Sequence, residues 1–169
     1  SVPARGMSGD FYDILPLPDG RTYFAIADVS GKGMKAALIM AKCSSLFRCL
    51  GKTVHEPGKL MALLEKEMCE TMTHGMFVTI VIGIYDPVKR CVRWSNAGHE
   101  PPLFHRADGD FISYTADSPP IGIVCQYEGQ SYPELTVSLD GGAFYIFTDG
   151  ITEGRLRSGA ALGSDGVQS

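Results

Sequence analysis

The chain has 169 residues with 15 basic and 19 acidic side chains, a formal net charge of −4 at pH 7. Apolar residues make up 44% and charged residues 20%, the balance of a globular domain and not of a disordered segment. The acidic excess argues against a protein built to hold nucleic acid or an anionic membrane, and no apolar run approaches the ~18 residues of a membrane span. Residues 1–6 lack a basic-then-apolar leader, so a cytoplasmic protein is expected. The five cysteines, Cys43, Cys49, Cys69, Cys91 and Cys125, are odd in number and show no CxxC spacing. Free thiols in a reducing compartment are the expectation.

One domain spanning 1–169 is expected, large enough to bury roughly 70% of its unfolded surface. Pro18-Asp19-Gly20 is a turn signal, and the apolar run 23–27 that follows reads as a strand entered from a hairpin and stopping at Asp28. After Gly31-Lys32-Gly33 a helical pattern runs over 34–50, with Gly51 placed to cap it. Its first apolar stripe is Ala36, Ile39, Met40, Cys43, Phe47 and Leu50; its second is Met34, Ala37, Leu38, Ala41 and Ser45. Two such faces predict burial on two sides, against a sheet and against another helix or subunit. Pro57 suits the first turn of a second helix over 57–72, striped by Leu60, Leu63, Leu64, Glu67 and Met68. The β-branched run 76–85 predicts a strand buried on both faces, and 90–95 a strand returning after the Asp86-Pro87 turn. A short strand over 102–105 precedes the Asp108-Gly109-Asp110 turn. Strands over 135–139 and 143–148 are joined by Asp140-Gly141-Gly142, a hairpin signal. The strands come as antiparallel pairs around a two-helix insertion, an α+β fold.

Three carboxylates are expected at strand ends with a glycine within three residues: Asp10 in Gly9-Asp10-Phe11-Tyr12-Asp13, Asp28 after Phe24-Ala25-Ile26-Ala27 and three before Gly31, and Asp149 in Thr148-Asp149-Gly150. Carboxylates at the ends of buried strands are costly unless they are compensated, and a hard divalent cation such as Mg²⁺ or Mn²⁺ compensates oxygen ligands. No His or Cys grouping offers zinc a better site.

Five ordered motifs carry a resemblance: Gly9-Asp10-Phe11-Tyr12-Asp13; Asp28-Val29-Ser30-Gly31-Lys32-Gly33; Asn96-Ala97-Gly98-His99-Glu100-Pro101-Pro102; Ser118-Pro119-Pro120-Ile121-Gly122; and Thr148-Asp149-Gly150-Ile151-Thr152-Glu153. Together they resemble the SpoIIE-like branch of the metal-dependent PPM protein phosphatases of bacterial stress and sporulation signalling. The resemblance implies an antiparallel β-sandwich flanked by helices. It implies two Mn²⁺ or Mg²⁺ ions held by Asp10, Asp28, the Val29 carbonyl and Asp149, with the three aspartates catalytic, and a lesser role near the site for Asp13. It implies a serine/threonine phosphatase acting on a phosphorylated regulatory protein such as an anti-anti-sigma factor. The family pattern has Gly where Ser8 stands, and it closes with an Asp-Asp motif that nothing after Asp149 matches. The chain therefore reads as a fragment lacking its final strand or strands, with activity impaired by that loss. The alternative is a catalytically silent phosphatase-like module that binds a partner or dimerises.

Gly31-Lys32-Gly33 is not a phosphate-binding P-loop, because Met34 stands where Ser or Thr is required. His99 reads as a loop histidine bonded around Asn96, Arg5 as a surface residue, and Trp94 as core. The helices 34–50 and 57–72 are expected to form a self-association and regulatory surface giving a homodimer.

Overall fold

A computed structural model describes residues 9–72, 75–115, 118–125 and 132–149. In chain order its elements are β1 (Phe11–Pro16), β2 (Thr22–Val29), α1 (Met34–Leu50), α2 (Pro57–Cys69), β3 (Val78–Asp86), β4 (Cys91–Ala97), β5 (Leu103–His105), β6 (Phe111–Ser113), β7 (Leu135–Ser138) and β8 (Ala143–Tyr145). They form a five-stranded sheet of order β1-β2-β3-β4-β7 and a three-stranded sheet of order β6-β5-β8, and all named pairings are antiparallel. The expected α+β architecture is what forms.

Strand periodicity divides the interior into two layers. On β2, Tyr23, Ala25, Ala27 and Val29 are buried beneath the helices with Ile80, Ile82 and Ile84 of β3 and with Phe47, Leu60, Leu64 and Met68. The alternate residues Phe24 and Ile26 point to the other face. There they join Val81, Trp94, Phe104, Val137 and Phe144 between the two sheets. β3 is therefore buried on both faces, as its unbroken apolar run predicts. Trp94 is core, with its ring centroid 4.8 Å from that of Phe144 and 5.0 Å from that of Tyr114.

The predicted 135–148 hairpin does not form. Asp140 (φ 40°) and Gly141 (φ 88°) do make a tight turn, and Gly142 N–H bonds to Leu139 O. The strands then part: Val137 pairs with Val92 in the large sheet, whereas Phe144 pairs with Phe104 in the small one. The turn chemistry was legible, but an Asp-Gly-Gly turn serves a crossing between layers as well as a hairpin. The last strand also stops at Tyr145 and not at Thr148.

α1 has the predicted bounds, but Gly51 does not end it in the left-handed conformation, since its φ is −63°. Space requires the glycine instead: a Cβ there would lie 2.8 Å from Phe47 O and 3.0 Å from a Leu15 methyl. The first stripe is the buried one, with Cys43 and Phe47 fully enclosed. Of the second stripe only Ala37 is buried, and Met34 and Leu38 are 68% and 64% exposed. α2 ends at Cys69, short of 72, and its inward face includes Glu65, which the stripe pattern missed. Lys42 of α1 joins the helices by donating to the Glu67 carbonyl and to Thr71 Oγ1.

The cysteines depart from expectation. Cys69 and Cys125 form a disulfide, with Cα atoms 5.8 Å apart, across 56 residues of sequence. It ties the end of α2 to the loop after Ile121. Cys43, Cys49 and Cys91 are free thiols. No helix among the described residues is long and apolar enough to cross a membrane.

Candidate active site

β1 and β2 run antiparallel with Phe11 opposite Ala27, so Asp10 enters the sheet beside the end of β2 where Asp28 stands. Asp28 shares its face with Ile26 and Phe24, toward the second sheet. The chain after Tyr145 brings Asp149 to the same end. There the Asp28 carboxyl is half-buried, takes part in a hydrogen bond with Asp10, and feels the charge of Asp149. Burial first, and the Asp10 carboxyl second, push the Asp28 pKa up to about 6. The predicted aspartates, dispersed along the sequence, are therefore neighbours.

Gly9 lies against Val29. Val29 N–H donates to Gly9 O at 3.3 Å, and a Cβ on Gly9 would sit 2.6 Å from Val29 O. Only glycine lets β1 enter this close to the Val29 carbonyl. Ser30 then pairs with Phe77 in both directions, its N–H to Phe77 O at 2.9 Å and its Oγ accepting Phe77 N–H at 2.7 Å. Gly31 and Gly33, with φ of 89° and 82°, turn the chain from β2 into α1. These two glycines serve the strand-to-helix turn and not a P-loop.

Asp13 lies elsewhere. Three residues from Asp10, it faces the helix side of the sheet, where it accepts from Ile14 N–H and pairs with Arg48 of α1. Its carboxylate fastens β1 to α1, which corrects the expected place near the site. Ser8 and Arg5 lie outside the described residues.

His99 is more than a loop histidine. Its backbone is held as expected: Asn96 Nδ2 donates to His99 O at 3.1 Å, and His99 N–H donates to Asn96 Oδ1 at 2.9 Å. Its ring is buried and spans Thr79 Oγ1 at 3.0 Å from Nδ1 and Phe147 O at 3.1 Å from Nε2. Burial lowers its pKa against the opposing pull of the Phe147 carbonyl and the charges of Asp10 and Asp149. Sequence reasoning missed Thr79, although a lone threonine inside the apolar run 76–85 was the available signal. It stands directly opposite Asp28 in the β2–β3 ladder.

The donor set consists of carboxylates and one backbone carbonyl, hard oxygen ligands suited to Mg²⁺ or Mn²⁺. Burial of the Asp28 carboxylate, with the charges of Asp10 and Asp149 added, is the cost that a cation would relieve. The residues fit such an ion, although among the described residues no group of three or more His, Cys, Asp or Glu is drawn together as a ready-made cage.

The family model for Stage II sporulation protein E (SpoIIE) matches residues 18–168. The chain belongs to the SpoIIE family. It is 32% identical over 161 residues to phosphoserine phosphatase RsbU of Bacillus subtilis, covering 94% of this chain and 47% of that protein. It is 28% identical over 151 residues to phosphoserine phosphatase RsbP of the same organism, covering 87% of this chain and 37% of that protein. The chain thus spans half or less of the length of these relatives. Among solved structures it resembles the RsbU and RsbW domains of a Mycobacterium tuberculosis protein, with a TM-score of 0.76, 23% identity and coverage of 93% of this chain and 43% of that one. It also resembles the PP2C phosphatase domain of SpoIIE from Bacillus subtilis, with a TM-score of 0.73, 21% identity and coverage of 88% and 43%. These likenesses establish the PP2C-like fold of this SpoIIE-family chain.

Proposed function

We propose that this chain is the catalytic part of a Mn²⁺- or Mg²⁺-dependent phosphatase that removes phosphate from serine or threonine of a regulatory protein. The observation that carries this reading is the meeting of Asp10, Asp28 and Asp149 at one end of the sheet, where Asp28 is burdened by its neighbours' charge. The names of the relatives RsbU and RsbP, both phosphoserine phosphatases, support it. Asp10, Asp28, Asp149 and the Val29 carbonyl would hold the ions. Two bound divalent ions supply an activated water and charge neutralisation at a phosphoryl group. The chain's own part is to place the carboxylates. The β1–β2 register sets Asp10 beside Asp28, and the close Gly9–Val29 contact presents the carbonyl. No side-chain nucleophile is required.

The test is hydrolysis of a phosphoserine peptide with Mn²⁺, with chelator, and by Asp28→Asn. Activity should vanish in chelator and fall at least about a hundredfold in the variant, the size of effect typical for lost electrostatic stabilisation. Full activity under either condition overturns the reading.

A second reading, a silent module that binds or dimerises, draws on the absence of a ready-made cage among the described residues and on the exposed stripe of α1. Calorimetric titration with Mn²⁺ separates the two, because only the phosphatase reading requires binding. The same stripe supports homodimerisation through α1 and α2. Leu38→Asp should abolish concentration-dependent sedimentation while leaving the fold intact, whereas Phe47 lies in the core and cannot serve as the probe.

A further inference from the structure

His99 is 5% exposed, and both nitrogens of its ring meet partners from other elements. Phe147 O is a carbonyl and can only accept, so Nε2 carries a proton and donates to it. Phe147 stands two residues before Asp149, beyond the end of β8, and pairs with no named strand among the described residues. On the other side, Nδ1 meets Thr79 Oγ1, and Thr79 is the ladder partner of Asp28. Thr79 Oγ1 is 3.0 Å from Nδ1 and 3.5 Å from Asp28 O, so its single proton serves the nearer acceptor. Asn96 fixes the backbone from which the ring projects, bracketing His99 N–H and C=O with two hydrogen bonds. The left-handed Gly98 (φ 65°) turns the chain just before it.

We propose that His99 is a positioning residue: it pins the segment carrying Asp149 through Nε2–H···O=C of Phe147 and ties it through Nδ1 and Thr79 to the strand register of Asp28. The β1–β2–β3 ladder aligns Asp10 with Asp28 by sheet pairing. Asp149 lies four residues past the end of β8, and the bond from the imidazole to Phe147 O fixes the segment between them. This inference rests on the metal-site reading above. It adds that the site's preorganisation for a divalent ion depends on a buried side chain that contacts neither ion nor substrate.

The test uses Mn²⁺ titration followed calorimetrically, thermal unfolding, and nitrogen-15 NMR of the metal-free protein. NMR should find a proton on Nε2 of His99; a ring protonated only at Nδ1 overturns the proposal. His99→Phe, which keeps bulk and removes both polar contacts, should weaken Mn²⁺ binding at least about tenfold in protein that remains folded. His99→Gln, whose amide can still donate to Phe147 O, should stay within about threefold of wild type. Equal Mn²⁺ affinity in folded His99→Phe, or an equal loss in both variants, overturns it and leaves His99 as core. If His99→Phe fails to fold, Thr79→Val against Thr79→Ser decides: weaker binding in the valine variant alone supports the proposal, and no difference overturns it. If wild type itself binds no Mn²⁺, the metal reading fails, and the Nε2 proton seen by NMR still decides the His99 contact.

Discussion

Glu134 Oε1 accepts the backbone N–H of Gly58 at 2.8 Å and so closes the N-terminus of α2 from 76 residues away in sequence. Glu56, at the N-cap position, makes no side-chain cap, so the helix depends on this distant carboxylate. Arg93 holds Glu134 from behind, with its Nη1 3.4 Å from Oε2, and Arg93 also donates to His55 O at 2.8 Å. Glu134→Ala should cost about 1–2 kcal/mol in urea unfolding, the usual value of a lost cap. Glu134→Gln, which keeps an acceptor, should cost less than half as much.

Gly83 is required by the aromatic layer between the sheets. A Cβ there would lie 2.1 Å from Phe24 Cζ, which fills the space that the missing side chain leaves. Gly83→Ala should destabilise by about 1–3 kcal/mol, the range for overpacked cores. Combined with Phe24→Leu the two losses should be clearly less than additive, measured as a double-mutant cycle by denaturant unfolding.

Glu65 is 1% exposed on the inner face of α2, beside the Tyr132 hydroxyl. Burial raises its pKa, with Tyr132 a smaller opposing influence. The folded protein therefore holds this proton more tightly than the unfolded chain. The stability it contributes is full below the unfolded value of about 4.3 and is lost as pH rises through the higher folded value. Unfolding free energy measured across this window should fall with rising pH. Glu65→Gln, which cannot ionise, should flatten that decline.

The Cys69–Cys125 disulfide closes a long loop between the end of α2 and the chain after Ile121. On chain-entropy grounds, for its 56-residue separation, it contributes up to about 4 kcal/mol. Thermal unfolding should shift downward on adding reductant, and Cys69→Ser should show the lower midpoint with or without it. An unchanged midpoint under reductant would make the bond energetically silent.

Much of the site was legible because its signals are local. An apolar run that stops at Asp28, the glycine beside Asp10, and the Gly31/Gly33 turn into α1 are properties of a few adjacent residues. Period and turn chemistry act at that range. The bounds of α1 follow from the same kind of signal. Asp13 misled for a related reason: adjacency in sequence suggested adjacency at the site, but alternation of a strand sends residues three apart to opposite faces.

The amino-acid pattern by itself determined that β2 and β3 have inward faces, that two helices follow Gly33, and that Asp10 and Asp28 stand at the ends of the first two strands. Periodicity establishes that a residue is covered, but not what covers it. Only the tertiary structure decided that β7 and β8 part into different sheets, that Cys69 meets Cys125, that Leu38 stays exposed, and that Glu65 is buried. It also decided that the His99 ring bridges Thr79 and Phe147, 20 and 48 residues away. Each of these depends on which distant segment the packed layers bring alongside, a choice made by the summed burial of the whole core and not by any local run of residues.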